Sequence, residues 1–204
     1  MSWTDEEISA VNSTLIPEGR QRQRPVDLPP SPHGLLPNGA LDYRQFPLTR
    51  ASGVIISIAD FTGSRSPKNE YGVDQSIMLT WVQCDRAVFD RVRVFHRIDG
   101  RFNNCSFQRI GTDRCGLVGT FTDCDFTGTS VRNAHLVANF VRCRFHGCNM
   151  KVASWGSSFE NCEFEGASID SLFADVRDVA LSAQKVTFVV LSGKVHVGET
   201  RHIS

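Results

Sequence analysis

The sequence predicts an all-β protein, a parallel β-helix whose coil repeats every 19 residues through the middle of the chain. Three observations lead there. The pattern Phe-x-x-Cys-x-Phe recurs at a constant spacing. Large apolar residues continue between its copies in steps of about five. Two places before each large residue stands a mostly small one.

The copies are Phe102/Cys105/Phe107, Phe121/Cys124/Phe126, Phe140/Cys143/Phe145 and Phe159/Cys162/Phe164. Between them the large positions run on through Thr112 and Leu117, Val131 and Leu136, Met150 and Trp155, and Ile169. The small columns read Gly100, Gly119, Ala138, Ser157; the four cysteines; Ile110, Thr129, Cys148, Ala167; and Cys115, Ala134, Ala153, Leu172. A step of five matches neither the 3.6 period of an α-helix nor the alternation of an ordinary strand. It matches a four-sided coil. Each side then points one large residue inward together with the small residue one strand period before it. One side, between Leu117 and Phe121 and at equivalent places, is a residue short, which makes the coil 19.

The outward positions form a second test, because like charges stacked on neighbouring coils would repel. Ser106, Asp125, Arg144, Glu163 make one column, Asn104, Asp123, Arg142, Asn161 another, and Asp113, Arg132, Lys151, Asp170 a third. Opposite charges follow one another in all three, and only Arg132 and Lys151 are like neighbours.

Ala59-Asp60-Phe61-Thr62-Gly63 and Cys124-Asp125-Phe126-Thr127-Gly128 are small, polar, Phe and two further residues. This unit resembles that of the pentapeptide-repeat proteins, over a little more than half of the chain. The resemblance implies a right-handed quadrilateral β-helix. Upstream, Leu79/Trp81 aligns with Gly100/Phe102, and Ala59/Phe61 aligns one coil earlier, so the helix is expected to start near Ala59. Residues Ser64 to Asp74, with Pro67 and Asn69-Glu70-Tyr71-Gly72, read as a loop thrown out of the first coil. The expected division is residues 1–52 as an extension, 53–172 as the β-helix and 173–204 as a cap.

Within the extension, Thr4 followed by Glu7 is a capping box for a short helix over Thr4 to Ser13. Residues Pro17 to Pro37 hold six of the eight prolines together with Arg20, Arg22 and Arg24, a composition for an extended segment draped over the first coil or offered to a partner. Past Leu172, Ser171 to Ala183 reads as a helix closing the stack. Lys185 to Val197 reads as a hairpin around Ser192-Gly193, packed on the cap or on a second copy. The family resemblance adds homodimerisation through this end as an option.

Lys and Arg number 22, as do Asp and Glu, so no global field attracts nucleic acid or an anionic membrane. The balance is uneven along the chain. Cys84 to Lys151 holds eleven basic and six acidic residues, whereas Val152 to Asp178 holds one Arg and six acids. No apolar run approaches the ~20 residues that cross a bilayer. The N-terminus lacks the basic and apolar stretches of an export signal, and with seven cysteines, an odd number, this points to free thiols in a reducing cytoplasm.

The cysteine column fits buried small residues better than a metal or redox site, since no His joins it, and Cys84, Cys115 and Cys148 fit likewise. The histidines lack zinc or triad spacing, no phosphate-loop or nucleophile-elbow motif occurs, and no paired carboxylates stand out. No cofactor is expected. The candidate surface is arginine-rich: Arg86, Arg91, Arg93, Arg97 and Arg101, followed by Arg109 and Arg114, with Arg142 and Arg144 further on. Its alternatives are a solvated, partly paired surface or a patch for an acidic partner. Direct nucleic-acid binding is disfavoured because the aromatics are assigned to the core. The leading expectation is therefore a non-enzymatic scaffold that presents a rigid rod to a protein partner. The resemblance offers an alternative, a DNA-mimicking regulator of gyrase or topoisomerase of the quinolone- or toxin-resistance type, although such mimicry depends on a strongly acidic surface. An enzyme of the broad β-helix class is a third reading.

Overall fold

A strand satisfies its N–H and C=O groups only through a neighbour, and a repeat of constant length supplies that neighbour one coil away. The computed structural model describes residues 2–16, 24–152, 157–181 and 185–197, and in it the chain forms a parallel β-solenoid of about six turns with one short helix. Strands Phe95–Asn103, Gly111–Thr122 and Ser130–Val141 stack in parallel, pairing Ile98 with Leu117 and Leu136, and Phe102 with Phe121 and Phe140. Strands Asn149–Val152 and Ser157–Glu160 continue the stack, with Met150 on Val131 and Phe159 on Phe140. Every pair named between Gly111 and Glu160 is one 19-residue step, as the periodicity predicts.

Stacking places identical side chains above one another, and the core is two columns of rings. Tyr43, Phe61, Phe89, Phe107, Phe126, Phe145 and Phe164 stack face to face with centroids 4.9 to 5.3 Å apart. Phe102, Phe121, Phe140 and Phe159 form the second column at 4.7 to 5.1 Å. The columns meet edge to face, as Phe126 does with Phe121 at 5.6 Å. Cys105, Leu117, Cys124, Leu136, Cys143, Met150 and Cys162 are buried beside them. Trp155 lies outside the described residues, and Ile169 pairs in register with Met150.

The chain leaves each strand through left-handed residues, which also stack. Arg86, Asn104, Asp123, Arg142 and Asn161 share φ values of 52° to 53°. The small column at the short side is tighter still. Gly100 and Gly119 have φ of 155° and 105°, and an added Cβ would meet the carbonyl oxygen of Val82 or Gly100 at 2.1 Å. Ala138 and Ser157 follow in the same column, so the constraint is confined to the earlier coils.

Upstream the register differs from the expectation. Gly100 pairs with Val82 and Phe102 with Cys84, while Trp81 is 58% exposed at φ 58°. A shift between Leu79 and Val82 is the cause: it turns the next inward positions onto Val82 and Cys84. Phe61 stacks on Phe89, with Ala59 and Ala87 as the small residues two places before. Parallel stacking also begins before Ala59. Val26–Asp27 pairs with Val54–Ser57, and Leu41–Asp42 with Ala59–Asp60, so part of the proline-rich segment supplies a strand of the first turn.

Thr4 caps the helix Asp5–Leu15 with the expected box to Glu7, and Val11 and Leu15 are buried. Trp3, just ahead of the cap, stacks on Tyr43 at 5.6 Å and extends the first ring column. The loop before the second full coil folds back through a bridge between Lys68 and Asp74, with Asn69 Oδ1 accepting from the N–H groups of Tyr71 and Val73.

The expected helix over Ser171 to Ala183 is not formed. Ser168–Leu181 is a strand that pairs in parallel with Asn149–Val152 and Ser157–Glu160. The Leu172, Val176, Val179, Ala180 spacing suits a helix, but a helix would leave the outer edge of the preceding coil unpaired, and a further strand satisfies both. Lys185–Val197 is likewise one strand parallel to Ser168–Leu181 in place of a hairpin. Ser192-Gly193, expected to turn that hairpin, instead stays in the strand and pairs with Asp175 and Val176, which continues the solenoid.

Gly119→Ala should cost about 2 kcal/mol or more, because its Cβ meets backbone and its φ is strained for an L-residue. Gly111→Ala, where a Cβ meets nothing within 4 Å, should be neutral or stabilising by up to about 1 kcal/mol. Urea unfolding of the two variants reads both effects.

Candidate functional site: a basic groove on the solenoid

All seven cysteines are free and buried. Three thiols of the repeated column find a carbonyl of the preceding coil, Cys124 donating to Phe102 O at 3.5 Å, Cys143 to Phe121 O at 3.3 Å and Cys162 to Phe140 O at 3.5 Å, while Cys105 donates to Asn103 O at 3.2 Å. In the neighbouring column Thr129 does the same to Phe107 O and Cys148 to Phe126 O, both at 2.9 Å. Burial pushes the thiols of Cys115 and Cys148 up to about 12. Contacts with neighbouring sulfurs and then burial hold Cys124 and Cys162 higher still. Contact with Cys124 shifts Cys105 and Cys143 the other way, below the usual thiol range, so it is enclosure, common to all seven, that makes these thiols packing groups. Among the described residues no group of three His, Cys, Asp or Glu side chains is placed to hold a metal ion.

The outer faces sort the arginines. Arg142 grips Asp123 with two hydrogen bonds of 2.7 Å, which holds that carboxyl below its usual range. Arg144 lies 3.9 Å from Asp125 and 3.7 Å from Glu163, and His146 is 3.0 Å from the same Glu163. Within the coils, Arg86 pairs with Asp85 and Arg97 with Asp99. The Arg142 and Arg144 pairs match the alternating columns legible in the sequence, and the two within-coil pairs do not belong to them. Together these pairs remove Arg86, Arg97, Arg142 and Arg144 from the uncompensated part of the candidate surface.

Arg91, Arg93, Arg101, Arg109 and Arg114 are exposed and have no acidic partner among the described residues. Three of them converge. Arg93, Arg109 and Arg114 line a groove of about 730 Å³, joined by Arg132. Register explains the hollow. Arg93 bridges to Gly111, which pairs with Ser130, and Gly128 follows Arg109 on the next coil, where an added Cβ would lie 3.3 Å from the Arg109 Cγ. Long cationic side chains on one coil thus overhang small residues on the next. Asp113 is the one carboxylate in the lining, 3.3 Å from Arg132, in a pair whose partners are both at least 80% exposed and so weakly coupled. Next along the axis, Lys151 and Arg132 line a second hollow of about 550 Å³ that shares Ser130.

Arg101 stands elsewhere, in a concavity of about 460 Å³ with Trp81, Gln83 and Thr120. Sequence reasoning assigned Trp81 to the core. The competing small-x-Phe pair Ala87/Phe89, which repeats Ala59/Phe61, was the pattern that could have freed it.

Comparison with protein-family models, with curated proteins and with solved structures found no match. No helix among the described residues is long and apolar enough to cross a membrane.

Since burial encloses the seven thiols, a thiol-directed disulfide reagent should label essentially none of them in the folded protein and all of them in denaturant. Rapid labelling of the native state would show that the cysteine column is open to solvent.

Proposed function

We propose that this chain is a non-enzymatic interaction module, a β-helix of the right-handed, four-sided pentapeptide-repeat type that holds a protein partner on one outer face. What supports the reading is the division between a continuous ring-stacked interior and an exterior where Arg86, Arg97, Arg142 and Arg144 are matched by acids while Arg93, Arg109 and Arg114 gather unmatched on one face. The interior side chains are consumed by packing, so recognition falls to the outside. A stacked core holds that outside in fixed register, which lowers the ordering cost of binding.

The DNA-mimic alternative draws less support. It needs a run of uncompensated acids, and Asp123, Asp125 and Glu163 each face a basic side chain. The five-residue spacing and the stacked left-handed corners at Arg86, Asn104, Asp123, Arg142 and Asn161 favour the pentapeptide-type coil.

The tagged chain should retain a stoichiometric protein from lysate of its own host, and the R93E/R109E/R114E variant, with an unchanged circular dichroism spectrum, should lose it. Undiminished retention by the variant would contradict the assignment of this face.

A further inference from the structure

The basic groove has features that bulk charge does not explain. Its walls carry four arginines against a single carboxylate, and its floor is built of Gly111, Gly128 and Ser130. Gly111 is not held there by conformation, since its φ is ordinary and a Cβ would meet nothing within 4 Å. The space above it is open groove.

The cations are distributed along the axis: Arg93 on one coil, Arg109 and Arg114 on the next, then Arg132, then Lys151. Three coil steps of about 4.8 Å span roughly 14 Å, the reach of about four extended residues. A compact anion would engage one end of such a track, whereas a linear one engages all of it. Bases offer less to this groove than carboxylates do, because Phe95 is 1% exposed and leaves the His96 ring alone in the lining to stack on a base, whereas four guanidinium groups stand ready for carboxylates.

We infer that the groove receives an extended acidic peptide segment laid along the solenoid axis, its carboxylates on Arg93, Arg109, Arg114 and Arg132 and its backbone over Gly111 and Ser130. This rests on the interaction-module reading and specifies the partner's chemistry. Arginine suits the task because its planar donors engage a carboxylate in pairs.

The test is fluorescence anisotropy with a labelled oligoglutamate peptide of about eight residues, long enough to cover the track. Oligothymidylate of the same length is the competing probe. Two variants separate groove from charge: R93A/R114A removes cations, and G111W fills the floor while leaving every charge in place. The chain should bind oligoglutamate more tightly than oligothymidylate. Each variant should weaken the peptide by about tenfold or more while keeping the wild-type unfolding midpoint. Wild-type affinity in G111W would overturn the inference, since binding would then need only surface charge, and preference for oligothymidylate would overturn it in favour of a nucleic-acid track. Failure of the peptide to bind, while R93E/R109E/R114E still loses its captured protein, would overturn the acidic segment and leave the module reading standing. Groove-dependent peptide binding with no protein retained from lysate would support the segment and count against the module.

Discussion

Ring-on-ring contact between successive coils is the interaction on which the other features depend. Backbone pairing spaces neighbouring strands at about 4.8 Å, and stacked aromatic rings prefer nearly the same separation when offset. Phe107, Phe126 and Phe145, at 5.1 and 5.0 Å, satisfy both requirements with one side chain per coil. Coil length is held close to constant by this: from Phe107 on the rings recur every 19 residues, and the 18-residue steps from Tyr43 to Phe61 and from Phe89 to Phe107 keep the stack at 5.0 and 5.3 Å. The long turn between Phe61 and Phe89 keeps the rule by expelling its surplus as the loop around Tyr71.

A core built this way constrains the surface. Every outward position lies above its equivalent, so charges must alternate along the axis or be tolerated as repulsion. Asp123 with Arg142, and Asp125 with Arg144 and Glu163, meet the first condition. Arg93, Arg109, Arg114, Arg132 and Lys151 fall on consecutive coils without equivalent compensation, and small residues between them leave a groove. A fold that needed only to stack could have placed acids there. The concentration of cations is therefore the feature of this surface that packing does not account for.

Much of the fold was legible because the repeat is strict where it is longest. Four copies of Phe-x-x-Cys-x-Phe fix register, core and outward columns together, and Phe102 to Phe164 occupy the predicted places. Legibility failed where local pattern and stacking disagree. Trp81 is large and apolar at a plausible spacing, but a register shift beside Leu79 hands the inward place to Cys84. Leu172, Val176 and Val179 have helical spacing, yet the edge of the preceding coil recruits them into a strand. Leu41 and Tyr43 stand in a proline-rich setting that hid a first turn. The arginine band was visible as composition. Its division into paired residues and a groove was not, since that depends on which residue of the neighbouring coil each side chain overhangs.

Equilibrium unfolding of Phe126→Ala, beside Val137→Ala as an exposed control, tests the stacked core most directly. Phe126 lies between Phe107 and Phe145 and touches Phe121 and Phe140 edge-on, all fully enclosed. Its truncation should cost about 3 to 5 kcal/mol. The control, at a side chain 51% exposed, should stay within about 0.5 kcal/mol of the parent. An unfolding free energy for Phe126→Ala equal to that of the parent would mean that the rings do not carry the solenoid.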